Sequence, residues 1–214
     1  MDFSACSTIS NKSLHVLAVV VASRLSRLVL RDCHWLSADS LINLSLKCVK
    51  LRHVDLAGCW DVADDSVVAL VVNSGACLET LSLSKIYGIT DVSGVEIARR
   101  CKKLQALDLL GCWRVSDRTV KALAESCLTL QQLSIRENTN VTEASLAPLR
   151  RRKVVIDVPA PPASGFGGGP RLPPMHPLFQ QRANLPLDFR NLPAPAFMAA
   201  VGDNNHVRAR FDRV

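Results

Sequence analysis

The chain has 214 residues, a net charge of +7 and eight cysteines, which is room for one domain with or without a tail. The charge is uneven: residues 1–149 carry 16 Lys/Arg against 15 Asp/Glu, and residues 150–214 carry 10 against 4. A nucleic-acid or membrane-surface role would therefore rest on the C-terminal part, because the rest is close to neutral.

Residues 2–9, DFSACSTI, lie over residues 55–62, DLAGCWDV, at an offset of 53, which is two repeat lengths of 26 and 27. The chain is therefore expected to begin inside a strand, with half a repeat. Residues 14–22, LHVLAVVVA, look like the apolar part of a signal peptide, but His15 interrupts the run. The repeat gives a better account: Ser10 is an N-cap, and Leu14, Leu17 and Val21 form the core stripe of a helix. No segment is long enough to span a membrane.

From Leu25 onward the pattern L-x-x-L-x-L-x-x-C recurs. It reads Leu25/Leu28/Leu30/Cys33, Leu51/Val54/Leu56/Cys59, Leu78/Leu81/Leu83/Ile86, Leu104/Leu107/Leu109/Cys112 and Leu130/Leu133/Ile135/Asn138. Starts near 25, 51, 78, 104 and 130 keep a period too regular for chance, and such a period defines a solenoid. Leu107 and Leu109 share one face of an extended strand, while Ala106, Asp108 and Leu110 take the other. Val115 turns the chain inward, Ser116 caps a helix and Asp117 suits the positive end of its dipole. Val120, Leu123, Ala124 and Cys127 then make one apolar stripe. One strand and one helix cannot bury these faces alone, but stacked neighbours can. The expected fold is α/β: a leucine-rich-repeat solenoid of right-handed strand–helix units over residues 1–158, with a parallel sheet on the concave face.

Cys48, Cys101 and Cys127 share one place in the repeat, and Cys33, Cys59 and Cys112 another. Columns of cysteine at core positions act as small apolar residues. A disulfide framework would place pairs, so a reducing compartment is expected. No C-x-x-C and no His at ligand spacing suggest zinc, and no cofactor or metal is expected. The sequons at Asn11, Asn43 and Asn140 then go unused.

Pro148 sits in the last repeat helix, and residues 150–153, RRRK, follow it. They read as cations at a helix C-terminus rather than as a nuclear-localisation or phosphate-binding patch. Val154, Ile156 and Val158 alternate and make a closing strand over 154–158. Residues 159–214 hold ten of the eleven prolines and lack apolar period, so a disordered Pro/Gly-rich tail is expected. Asn184-Leu185-Pro186 and Asn191-Leu192-Pro193, with Phe189 and Phe197 close behind, could be a duplicated docking motif or a coincidence.

The repeat register supplies the candidate site. Val29, Arg31, His53, Asp55, Thr80, Ser82, Asp108, Leu110, Ser134 and Arg136 point away from the core on neighbouring strands. A parallel sheet normally has both faces covered, so a mixed polar face left open is available to a partner protein. Charge reversal at Arg31, Asp55, Asp108 and Arg136 is expected to abolish binding and leave the melting temperature nearly unchanged. His34, Trp60, Tyr87 and Trp113 follow the ladder position in four successive repeats, and with Trp35 they make a candidate aromatic rim. The five histidines stand near no nucleophile or carboxylate pair, so an enzyme is not expected.

The residues 101–117, which read C-x-x-L-x-x-L-x-L-x-x-C-x-x-V-S-D, resemble the cysteine-containing leucine-rich repeat of F-box/leucine-rich-repeat proteins, over about residues 2–158. In that family the repeats hold a substrate protein, and an upstream F-box binds the Skp1 adaptor of a cullin-based ubiquitin ligase. The resemblance implies a cytoplasmic, non-catalytic substrate receptor, with the nucleus as a second location and a HECT-type ubiquitin ligase as an implied substrate. Residues 1–24 are already spent on half a repeat, so Skp1 and cullin are expected only where an F-box is supplied upstream. The other expectation is an F-box-less interaction protein similar to the antagonist of mitotic exit network.

Overall fold

A computed structural model describes residues 1–6, 9–22 and 24–160. The described fold lies in the first of the chain's two units, Met1–Gly169. The tail beyond residue 160, with its histidines and Asn-Leu-Pro pair, lies outside the described residues.

Helices and strands of two or three residues alternate through the first unit. The order is α1 (Asn11–Val21), β1 (Arg27–Val29), α2 (Ala38–Lys47), β2 (His53–Asp55), α3 (Asp64–Ser74), β3 (Thr80–Ser82), α4 (Asp91–Arg100), β4 (Ala106–Asp108), α5 (Asp117–Ser126), β5 (Gln132–Ser134), α6 (Glu143–Arg151) and β6 (Val155–Ile156). The strands form one parallel sheet in chain order. Leu28, Val54, Leu81, Leu107, Leu133 and Ile156 face one another in register across it. This is a leucine-rich-repeat solenoid.

All twenty positions of the recurring pattern are buried, none more than 8 % exposed. That burial is the reason for the period: each leucine loses water only because the next repeat covers it. Residues 1–5 extend the sheet as a half repeat. Asp2 pairs in parallel with Val29, and the Phe3 N–H donates to the Val29 carbonyl at 2.9 Å. Ser10 caps α1 by accepting from the Ser13 N–H. The α1 stripe differs from expectation, since Leu14 and Ala18 are the buried residues and Leu17 is only half-buried. Among the described residues α1 has a single helix neighbour, α2, which covers it from one side.

One regularity has no hydrophobic signal. The residue before the ladder position is left-handed in every repeat: Ala5, Asp32, Gly58, Lys85, Gly111 and Glu137 have φ between 54° and 74°. The turn from strand to ladder needs this geometry, and only two of the six are glycine. A Cβ at Gly58 would collide with the Asp32 carboxylate of the preceding repeat, whereas at Gly111 the nearest atom lies 3.6 Å away. Gly58→Ala is therefore expected to cost about 1–3 kcal/mol and Gly111→Ala only the backbone share, about 1 kcal/mol. Urea unfolding of the two variants checks the order.

Candidate functional site

The open face of the sheet carries two rows of side chains. Arg27, His53, Thr80, Ala106 and Gln132 stand in one register, and Val29, Asp55, Ser82, Asp108 and Ser134 in the next. Arg31, Leu110 and Arg136 lie just past the strand ends. All ten predicted residues are half-buried or exposed. Eight of them line a shallow groove of about 580 Å³; Leu110 and Arg136 stand outside it. Arg27, Ala106 and Gln132 also line it and were missed, although Arg27 stands 26 residues before His53, Ala106 26 after Thr80 and Gln132 26 after Ala106.

The groove floor is polar and internally bonded. Arg31 Nη2 reaches Asp55 Oδ2 at 2.8 Å. His53 Nδ1 and Thr80 Oγ1 are 2.9 Å apart, and Ser82 Oγ donates to Asp108 Oδ2 at 2.9 Å. Each carboxylate also holds its own strand end: Asp55 Oδ1 accepts the Ala57 N–H at 3.0 Å, and Asp108 Oδ1 the Leu110 N–H at 3.1 Å. Reversing those two charges would strip a backbone donor of its acceptor. The expectation of an unchanged melting temperature is therefore kept only for Arg136, whose side chain is exposed, because a reversed Arg31 would set a second carboxylate against half-buried Asp55.

The aromatic column is partly assembled. His34 and Trp60 stack with ring centroids 4.2 Å apart, and Arg114 lies over Trp113 at 6.0 Å. Tyr87 is half-buried, and desolvation first, then the Glu137 charge, push its hydroxyl pKa above the ordinary value. Trp35 stands apart from the column. Its ring packs on the core and its Nε1–H donates to the Cys6 carbonyl, so it covers the core.

The ladder cysteines do more than fill space. The thiols of Cys33, Cys59 and Cys112 donate to the carbonyls of Phe3, Leu30 and Leu83, each one repeat back, and Asn138 Nδ2 donates to Leu109 in the same way. Cysteine suits the place because it is both small and a weak donor. All eight cysteines are free. Desolvation raises Cys59, Cys101 and Cys112 to about 12 and Cys127 to about 11. A raised folded pKa means that the unfolded chain loses its protons first. Stability should therefore be intact below pH 9 and fall between pH 9 and about 12, by up to about 1.4 kcal/mol per pH unit for each such thiol. Brief alkylation of the native chain at pH 8 should mark half-buried Cys6 and Cys77 and spare the buried six.

The basic run after Pro148 is largely committed within the fold. Arg152 donates to the Ala124 and Cys127 carbonyls at the end of α5. Arg150 binds Glu143 at 2.7 Å and the Val158 carbonyl. Among the described residues no three His, Cys, Asp or Glu side chains converge to hold a metal, and no helix is long and apolar enough to cross a membrane.

No family model matches the chain. It is similar to F-box/LRR-repeat protein 4 of Bos taurus, at 26 % identity over 54 % of this chain and 23 % of that protein. The chain spans about a quarter of the length of that curated relative. Among solved structures it is similar to a chain of the Rad7–Elc1 complex in yeast. The TM-score is 0.54 at 20 % identity, over 64 % of this chain and 42 % of that one. This second likeness is one of fold alone.

Proposed function

We propose that this chain is a non-catalytic protein-recognition module that holds a substrate protein on the open sheet face, in the setting of a cullin-based ubiquitin ligase. One observation carries the reading. Four neighbouring strands, β2 to β5, present half-buried polar side chains to a shallow groove of about 580 Å³, and no helix covers that face of the sheet among the described residues. A parallel sheet is ordinarily covered on both sides, and solenoids use an open face for binding. The partial likeness to an F-box/LRR-repeat protein supports the ligase setting, and the fold neighbour was solved in complex with a second protein.

Within the F-box/leucine-rich-repeat family, residues 33–37, 141–146 and 150–158 look most similar to protein fifteen, which supports a HECT-type ubiquitin ligase as the substrate. Skp1 and cullin would join through an F-box supplied upstream. A cytoplasmic location suits eight free cysteines.

The test is differential capture. A Thr80→Trp/Ser134→Trp double variant fills the groove, and Val72→Glu alters the exposed outer face of α3. Proteins retained from cell lysate by the wild-type chain should fall at least about tenfold on the double variant, the loss that 1.4 kcal/mol produces. They should be unchanged on Val72→Glu. Equal retention by the groove-filled chain would defeat the reading.

A further inference from the structure

Asp55 and Asp108 occupy the same strand position on β2 and β4, and each spends one oxygen on the backbone N–H two residues later. Their second oxygens differ. Asp55 Oδ2 is neutralised by Arg31, which stands at the end of the preceding strand, 2.8 Å away. The residue in that place before Asp108 is Ser84, which is buried and carries no charge. Asp108 Oδ2 receives only the Ser82 hydroxyl. Among the described residues, no ion pair within 4.0 Å includes Asp108. The sheet thus holds one carboxylate with its cation and, two strands away, a half-buried carboxylate without one.

We propose that the bound partner supplies that cation, as a lysine or arginine seated on Asp108. This deepens the sheet-face reading and rests on it. The carboxylate has given up part of its hydration to the groove, where an arriving ammonium or guanidinium is screened less than on open surface. A charge-assisted hydrogen bond to the remaining lone pairs of Oδ2 completes the site. Ala106, which lines the groove beside it, leaves room for the methylene stem of the incoming side chain. An acidic residue at the same point is repelled, so the position sets specificity as well as affinity.

The experiment probes the full 214-residue chain with immobilised nine-residue peptides. Their central residue is fixed as Arg, Lys, Ala or Glu and the other positions are varied. The wild type should prefer Arg or Lys over Ala by about ten- to a hundredfold, with Glu weakest. Asp108→Asn keeps the Leu110 bond, lets the amide Nδ2 donate to the Ser82 hydroxyl in place of accepting from it, and removes the charge, so the preference should collapse to near one. Ser84→Arg, which copies the Arg31–Asp55 pair internally, should do the same. The Asn variant decides the matter if the buried Arg impairs folding. Thr80→Trp separates the two levels. Should it abolish binding while Asp108→Asn keeps the basic preference, the cation site is wrong and the sheet face stands. Should it leave binding untouched, both are wrong. Failure of the wild type to retain any peptide class, or equal retention of all four, also overturns the proposal.

Discussion

Asp91→Ala should lower the stability of the solenoid by about 3 kcal/mol, a large effect for a single polar substitution. Asp91 begins α4, yet its main contacts lie in the next repeat. It accepts the Ser116 N–H at 2.9 Å, the Ser116 hydroxyl, and the Thr119 hydroxyl at 2.6 Å. Asp64 does the same for Thr90 and Ser93, and Asp117 for Thr142. The N-caps of α4, α5 and α6 are thus each fastened by the first-turn aspartate of the helix before, whereas the α2 cap Ser37 is held by Asn11. Removing Asp91 leaves the fully buried Thr119 hydroxyl and one amide without an acceptor. A melting-temperature drop of about 6–12 °C follows at this chain size.

The same contacts set an acid limit. Burial alone would raise the Asp91 pKa, but the hydrogen bonds from Ser116 and Thr119 together outweigh it and hold the carboxyl below its ordinary value. The balance at Asp117 is alike, with Ser145 and Thr142 as donors. A depressed carboxyl contributes stability above its unfolded pKa and loses it as pH falls through the folded one, so the wild type should weaken below about pH 4. The Asp91→Ala variant should weaken less over that window. A melting temperature within 2 °C of wild type at pH 7 would contradict the role given to Asp91.

Leu107→Ala is the second large effect. Leu107 is fully enclosed at the centre of the sheet, in register with Leu81 and Leu133 on either side. Truncation leaves a cavity that both neighbouring repeats border, for a cost of about 2–5 kcal/mol. Ala106→Ser, one residue away on the open face, should stay within about 0.5 kcal/mol. Chemical denaturation of the pair checks the alternation of the strand: similar costs for both would mean that the open face is not open.

Much of this architecture was legible because hydrophobic burial writes itself into spacing. Leu104, Leu107 and Leu109 identify the strand, and their recurrence every 26 or 27 residues gives the register that Asp55, Ser82 and Asp108 share. The chain-start overlay of Asp2 on Asp55 is visible in the same way, and Asp2 does stand in that row beside Val29. What stayed hidden depends on groups meeting across repeats. Asp91 and Asp117 sit at constant spacing, but an aspartate in a first turn reads equally well as a dipole partner, and only the stacked helices bring Thr119 and Thr142 to it. The thiol donors are equally silent, since a buried cysteine has the same spacing whether or not its hydrogen is used. Trp35 was drawn toward the rim by its neighbour His34, although its place in the turn lays the ring against the core. The left-handed row escaped notice because Asp32, Lys85 and Glu137 fill positions where glycine would have signalled the turn.

The central claim, that a partner protein lies on the sheet face, is tested most directly by site-specific crosslinking. A photo-reactive phenylalanine placed at Ser82 or Ser134 looks into the groove, while one at Glu125 looks out from α5. Irradiation in lysate should give a discrete protein adduct from the two groove positions and none from Glu125. Adducts from Glu125 alone would place the partner on the helices and contradict the account.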